Sequence, residues 1–442
     1  MRRIVSLLVI ALLFTWSCRR EEELTLLERL ERIPGITATA ITPPSGFAQA
    51  FQVDLAQAID HDAPQRGTFR QRFYLSYRGE DAPTVFYTSG YGISRNTESE
   101  PAALLQANQV LMVHRYFPDA VPSATDWSFL TIAQAAADQH EVRSRLAEIL
   151  PGKWLSSGAS KGGMTALYYR YHYPADVAAT VAYVAPIMEL TEDPRFASFL
   201  RSVGTAGCRE KIRLFQRELL ERRAAMLALA HAHALQQGFA FTVIREAEAF
   251  EYAVLEYPFA FWQYGSGDCG PIPGASASDQ VLFDHLVAVS PLSFYADAGY
   301  GYYRPLFYQA YTEIGYCTFM FEHLGTLLQE VPAPSYRAFA PRGVDMDFRP
   351  EVMRAVVPWL RDQGERIIYI YGALDPWTAG ALNPAPGLDA LQVIQPGANH
   401  GVKIRDLDQK AAVIAALERW LQIDIDEARL ASVAADEGRE RF

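Results

Sequence analysis

The chain has 442 residues, half of them apolar and 21% charged, with 51 acidic against 40 basic side chains and a net charge of −11. This excludes a disordered, collagen-like or coiled-coil chain and supplies a core for roughly two to three domain-sized units. The acidic balance argues against nucleic acid as a partner, because phosphate contacts are made by clustered Lys and Arg. Aromatic residues make up 12% of the chain and crowd into residues 257–264 and 300–311, where rings either fill a core or line a pocket.

Met1-Arg2-Arg3 and the apolar run 4–16 form the charged start and short apolar stretch of an export signal, too short to span a bilayer. Ser17-Cys18 resembles the lipobox of bacterial lipoproteins, in which the cysteine is acylated and becomes the first residue. Residues 1–17 are therefore expected to be a signal peptide, Cys18 the lipidation site and 18–66 a tether and lead-in. The expected location is the outer membrane or cell surface through a lipid anchor, otherwise the periplasm or medium, with membrane contact through lipid alone. In an oxidising compartment Cys208, Cys269 and Cys317 give one disulfide and one thiol. Cys208 and Cys269 bracket one continuous segment and are the favoured pair; a bridge through Cys317 stays open.

From residue 67 the chain alternates between predicted strands and helices. Strands are expected at 68–77, 84–88 and 109–115, a helix at 129–150 stopped by Pro151-Gly152, a strand at 153–158, a helix at 161–173 stopped by Pro174, and a strand at 178–185. That is the pattern of a parallel sheet with right-handed crossovers. The alternation then breaks: 209–237, 279–289 and 303–328 read as helices, and 247–264 as an aromatic-rich segment. Strands return at 366–371 and 391–395, followed by an amphipathic helix at 407–421. The expected fold class is α/β, with a first core part at 67–190, a helical cap insertion at 191–345 and a second core part at 346–442.

Gly158-Ala159-Ser160-Lys161-Gly162 is Gly-x-Ser-x-Gly between a predicted strand and a predicted helix. A serine hydroxyl is a poor nucleophile, so it must stand on a sharp turn within reach of a base, and flanking glycines allow that turn. The helix starting there points backbone N–H groups, that of Lys161 first, at the oxygen that becomes negative during acyl transfer. A base and an orienting acid should follow in the order Ser, Asp, His. Asp375 in Gly372-Ala373-Leu374-Asp375-Pro376-Trp377 and His400 in Gly397-Ala398-Asn399-His400-Gly401 each follow a predicted strand, at the carboxyl end where such sheets build their sites. Ser160, Asp375 and His400 are thus the catalytic candidates. Ser89-Gly90-Tyr91-Gly92 is the glycine-rich loop suited to a second oxyanion donor, the Tyr91 N–H, or is an ordinary turn. His114, after the strand at 109–115, and Trp377 are candidates for lining a substrate cleft; His114 reads equally well as structural. His231 and His233, two apart on a helix, face different sides, and no metal or other cofactor is expected.

These stretches, with His114-Arg115-Tyr116-Phe117 and Tyr308-Gln309-Ala310-Tyr311-Thr312-Glu313-Ile314-Gly315-Tyr316, resemble the secreted bacterial serine tripeptidyl aminopeptidases, a group similar to prolyl carboxypeptidase and the lysosomal dipeptidyl peptidase. The resemblance covers about residues 70–421. It implies an α/β-hydrolase sheet with a helical cap and cleavage near a peptide terminus, with proline tolerated beside the scissile bond. The chain departs from the second group in carrying Ser89-Gly90-Tyr91-Gly92 for Gly-Asn-Glu-Gly, and Lys161 for a tyrosine. An enzyme that counts from a free N-terminus needs a buried carboxylate for the ammonium, and Glu313 is the candidate. The expected activity is release of short peptides, tripeptides first, from free N-termini through an acyl-enzyme. The alternatives are an esterase or lipase of the same fold, a prolyl carboxypeptidase-like exopeptidase, and a surface lipoprotein that binds peptides without chemistry. Nothing in the sequence sets an oligomeric state.

Overall fold

The computed structural model describes residues 24–122 and 126–432; Cys18 and the expected signal segment lie outside them. Nine strands form one sheet in the order β1-β2-β3-β5-β4-β6-β7-β8-β9. β1 (Ile36–Ile41), β2 (Gln49–Ala58) and β3 (Thr68–Tyr77) make an antiparallel meander. β3 pairs antiparallel with β5 (Asn108–Met112). From there β5, β4 (Thr84–Thr88), β6 (Trp154–Ala159), β7 (Ala179–Tyr183), β8 (Ile367–Gly372) and β9 (Leu391–Gln395) run parallel. Strands β7 and β8 are buried along their whole length, as parallel strands covered on both faces must be.

The sheet starts earlier than the expected boundary at 67, since β1 and β2 lie within the segment read as lead-in. Their polar positions hid them: β2 alternates buried and part-exposed residues, and its Asp54 pairs across the ladder with Arg72 at 2.9 Å.

The helices are α1 (Leu26–Glu31), α2 (Glu100–Leu105), α3 (Ile132–Leu146), α4 (Lys161–His172), α5 (Pro194–Leu200), α6 (Ala206–Glu221), α7 (Arg223–Gln237), α8 (Glu246–Tyr264), α9 (Asp279–Val289), α10 (Asp297–Gln309), α11 (Pro350–Asp362) and α12 (Lys410–Leu421). Helices α5 to α11 lie between β7 and β8 in sequence, and their apolar faces share one buried cluster with the sheet. The expected helix 209–237 is two helices, α6 and α7, broken at Arg222 (φ −92°, ψ 27°). The Arg222 guanidinium bonds Glu218 at 2.6 Å and Asp279 at 2.9 Å, holding the break against α9. The expected helix 303–328 instead stops in a wide π turn, Ala310–Ile314, closed by Gly315 at φ 73°; a β-carbon there would press on the Leu190 carbonyl. Cys208 and Cys269 are joined by a disulfide, and Cys317 is a buried thiol.

Helix α8 carries Pro258, which cannot donate to the Val254 carbonyl one turn back. That carbonyl accepts instead from Gln216 Nε2 of α6 at 2.7 Å, so the helix continues and is tied to its neighbour. No helix among the described residues is long and apolar enough to cross a membrane.

Beneath the site lies a buried ionic hub. Arg115 and Asp138, exposed by 0% and 1%, pair through two hydrogen bonds of 2.7 and 2.6 Å. Arg115 also donates to the carbonyls of Ala58, Ile59 and Phe129, fastening the end of β2 and the entry to α3. Removing one partner leaves a buried charge unmatched. Arg115→Met is expected to lower the unfolding free energy by about 3–5 kcal/mol, measured by urea denaturation.

Candidate active site

Ser160 stands between β6 and α4 with φ 54° and ψ −125°, a conformation that a residue with a side chain adopts only when its surroundings impose it. Missing β-carbons impose it here. One added to Gly158 would strike the Gly162 carbonyl, one on Gly162 the Thr88 carbonyl, and one on Gly163 would come to 2.9 Å from the Tyr183 carbonyl. Gly90 (φ 75°) likewise faces the Gly162 amide. The turn is thus wedged between the ends of β4 and β7, and is tied there by Ser160 N–H to Tyr183 O at 2.9 Å and Thr88 Oγ1 to Gly162 O at 2.7 Å.

Asp375 follows β8 and His400 follows β9, so both stand at the same carboxyl edge of the sheet as Ser160. The two loops are laced together: Leu374 N–H donates to Ala398 O at 2.8 Å, and a β-carbon on Gly372 would collide with the carbonyls of Ala398 and Asn399. Asp375 is fully buried. Its Oδ2 meets His400 Nδ1 at 2.6 Å, and its Oδ1 accepts from Trp377 N–H at 3.1 Å. With Nδ1–H directed at the carboxylate, His400 Nε2 is the basic nitrogen. The hydrogen bonds of His400 run to Asp375 and, through its backbone, to Gln263 O; among the described residues none joins it to Ser160. Hydrogen bonds of this kind commonly close only in the substrate complex.

The cap reaches the histidine directly. Gln263 O accepts from His400 N–H at 3.0 Å, Gly265 O accepts from Asn399 Nδ2 at 2.9 Å, and the Tyr264 ring lies edge-on to His400 at 5.9 Å. The C-terminal end of α8 therefore docks on the histidine loop. Sequence reasoning did not single out Gln263 or Tyr264; the aromatic run 257–264 was the available signal.

The remaining expected residues fall into two groups. Lys161, Tyr91 and Trp377 line one small cavity with Ser160, together with Tyr316. The indole N–H of Trp377 is buried with no hydrogen-bond partner among the described residues. The Tyr91 N–H is engaged by Ser89 Oγ at 3.1 Å and must change partner to serve an oxyanion. His114 and Glu313 are occupied elsewhere. The His114 ring is buried, bonds the Arg115 carbonyl through Nδ1 at 2.8 Å and packs on Phe117; burial, then the Lys161 ammonium, holds it well below the usual histidine range. Glu313 accepts from Ile132 N–H at 2.7 Å at the start of α3 and pairs with Arg349 at 2.7 Å. A carboxylate with both oxygens engaged in this way braces two elements, and Glu313 lines a cavity with Arg349 that Ser160 does not border.

Comparison with known proteins gives the family. Residues 21–436 match the PS-10 peptidase S37 family. The chain belongs to that family. It is a serine peptidase with the α/β-hydrolase fold. A prolyl tri/tetrapeptidyl aminopeptidase of Streptomyces mobaraensis is 37% identical over 402 residues, covering 89% of this chain and 84% of the relative. A lysosomal Pro-X carboxypeptidase of Mus musculus is 29% identical over 175 residues, 34% of this chain and 35% of that one. Among solved structures, a proline iminopeptidase of Mycobacterium smegmatis covers 82% of this chain and 97% of its own at 14% identity and a TM-score of 0.39.

Lys161, next in the chain after Ser160, carries its ammonium into the interior. Its Nζ lies 5.8 and 5.6 Å from the ring centres of Tyr91 and Phe117, no carboxylate among the described residues pairs with it, and burial brings it down to about 7. The unfolded chain holds that proton up to the ordinary lysine value of 10.5. The cost of burying the charge is therefore present in full below pH 7, and stability from this group rises between about 7 and 10.5. Lys161→Met is expected to raise the melting temperature more at about pH 6 than at about pH 9. Paired thermal scans check it.

Proposed function

We propose that Ser160, His400 and Asp375 act together as a catalytic triad that cleaves peptides near a free N-terminus. Ser160 Oγ attacks the carbonyl carbon while His400 Nε2 takes its proton, and Asp375 holds the imidazole in the tautomer that makes this possible. The oxyanion forms against the Lys161 N–H and, once it leaves Ser89 Oγ, the Tyr91 N–H; each such donor contributes about 3–4 kcal/mol to the transition state. His400 then protonates the leaving amine. Water repeats the cycle on the acyl-enzyme. The observation that carries this reading is the 2.6 Å Asp375–His400 hydrogen bond, at the edge of the sheet where Ser160 is held in its strained turn.

Release of tripeptides, with proline tolerated, is supported by the name and 37% identity of the Streptomyces relative. Action after export, with the chain anchored through a lipid on Cys18, is supported by the apolar leader 4–16 and by the Cys208–Cys269 disulfide, which suits an oxidising compartment.

A fluorophosphonate probe is expected to label the protein and to lose its target in Ser160→Ala; labelling that survives the substitution would remove Ser160 as nucleophile. Asp375→Asn is expected to lower kcat by about 10⁴-fold in a peptide-anilide assay, since the wrong imidazole tautomer is then favoured. Labelled palmitate is expected to enter the expressed chain and to be absent from Cys18→Ala.

A further inference from the structure

With Glu313 bound to Arg349, the cap is left to supply another carboxylate for a substrate ammonium, and α8 carries one. Glu256 lies in the α8 segment that leads back from the histidine loop. The buried glutamate of this helix, Glu251, is neutralised: it pairs with Arg223 and accepts from the N–H groups of Gln329, Glu330 and Val331. Glu256 has no such cation among the described residues. Among the described residues its bond is to the Tyr336 hydroxyl, which donates to it. Desolvation raises its carboxyl to about 7, although part of its surface is open.

Side-chain contacts link Glu256 to the cavity that Ser160 borders. Tyr264 keeps 38% of its surface open despite its position at the interface between cap and sheet, and desolvation holds its phenol well above the usual range. Its hydroxyl feels Tyr91, Asp375, Tyr303 and Glu256 together. Rings lead from one end to the other: Tyr336, bonded to Glu256, is 4.9 Å from Tyr316, and Tyr316 is 5.6 Å from Trp377 and borders the cavity of Ser160. The titratable groups facing Glu256 are Tyr264 of its own helix and Tyr295, Tyr316, Cys317 and Tyr336 of the neighbouring segments, all held neutral by burial.

We propose that the Glu256 carboxylate binds the terminal ammonium of the substrate and that helix α8 sets the number of residues between it and the scissile bond. This rests on the peptidase reading of Ser160, Asp375 and His400. From Tyr264, against His400, back to Glu256 is about eight residues, or about 12 Å of helix rise. An extended peptide advances about 3.3–3.6 Å per residue, so three to four residues span that length. A blocked N-terminus has no charge to offer. A longer chain would have to bury its own backbone against an unpaired carboxylate.

The test uses the full-length protein, a series of anilides with one to five residues before the scissile bond, their N-acetylated forms, and p-nitrophenyl acetate, which needs the nucleophile alone. The wild type is expected to peak at three or four residues and to reject acetylated peptides. In Glu256→Gln, where the amide still accepts from Tyr336, kcat/KM for the best free peptide is expected to fall about 100-fold, the preference over acetylated peptides to collapse, and the length dependence to flatten. Turnover of p-nitrophenyl acetate should stay within about threefold. The KM for free peptides is expected to rise in the wild type as pH falls through about 7, when the carboxyl becomes neutral, and to lose that rise in the variant. A variant that keeps its preference for free N-termini overturns the proposal, as does one that loses ester turnover along with peptide turnover, or a wild type indifferent to acetylation. Each of those results leaves the peptidase reading standing if Ser160→Ala abolishes hydrolysis. Hydrolysis that persists in Ser160→Ala overturns that reading instead.

Discussion

The site depends on a close approach of backbone to backbone. At Gly90, Gly158, Gly162 and Gly163 the chain comes within the space a β-carbon would occupy, and that contact jams the start of α4 between the ends of β4 and β7. Ser160 has no room to relax, so its positive φ is retained. The same contact sets the first N–H groups of α4 beside the loop that follows β4, which is the arrangement an oxyanion requires. A methyl group at any of these positions would alter the Ser160 turn, the helix entry and the loop after β4 together.

The cap is a working part of the site. Backbone carbonyls at the C-terminal end of α8 accept from His400 and Asn399, so the loop that presents the imidazole is held by the sheet on one side and by the insertion on the other. Pro258 frees a carbonyl in mid-helix, Gln216 takes it, and α8 is thereby locked to α6, which the Cys208–Cys269 disulfide ties to the segment following α8. A displacement of the cap would move the histidine as well as the pocket walls.

Charge inside the molecule follows two rules. Where a buried ion has a structural task it is matched, as in Arg115 with Asp138, Glu251 with Arg223 and Glu313 with Arg349. Lys161 and Glu256 have no counter-ion among the described residues, and desolvation draws both toward neutrality, to about 7 in each case. A buried charge without a partner is costly in a way that a matched one is not, and sites of catalysis and recognition are where such costs are tolerated.

The order Ser160, Asp375, His400 and the glycines around the nucleophile could be read from the chain because each depends on local geometry: a strand end, a tight turn, a helix start. Strands β7 and β8 were legible for a related reason, since burial on both faces demands a largely apolar run. β1 and β2 escaped notice because half their positions face polar surroundings, and the break at Arg222 and the π turn before Gly315 depend on contacts with other segments. The pairing of carboxylates was the least legible feature of all. One chain carries 51 acidic residues, and nothing local distinguishes Glu313 from Glu256. The choice between them is made by Ile132, 181 residues away, and by Arg349, which together occupy Glu313. Sequence determined which chemistry the sheet edge would carry, because reactive groups at strand ends follow from short-range pattern. Only tertiary structure decided which carboxylate remained without a cation, because pairing is a matter of distance in space.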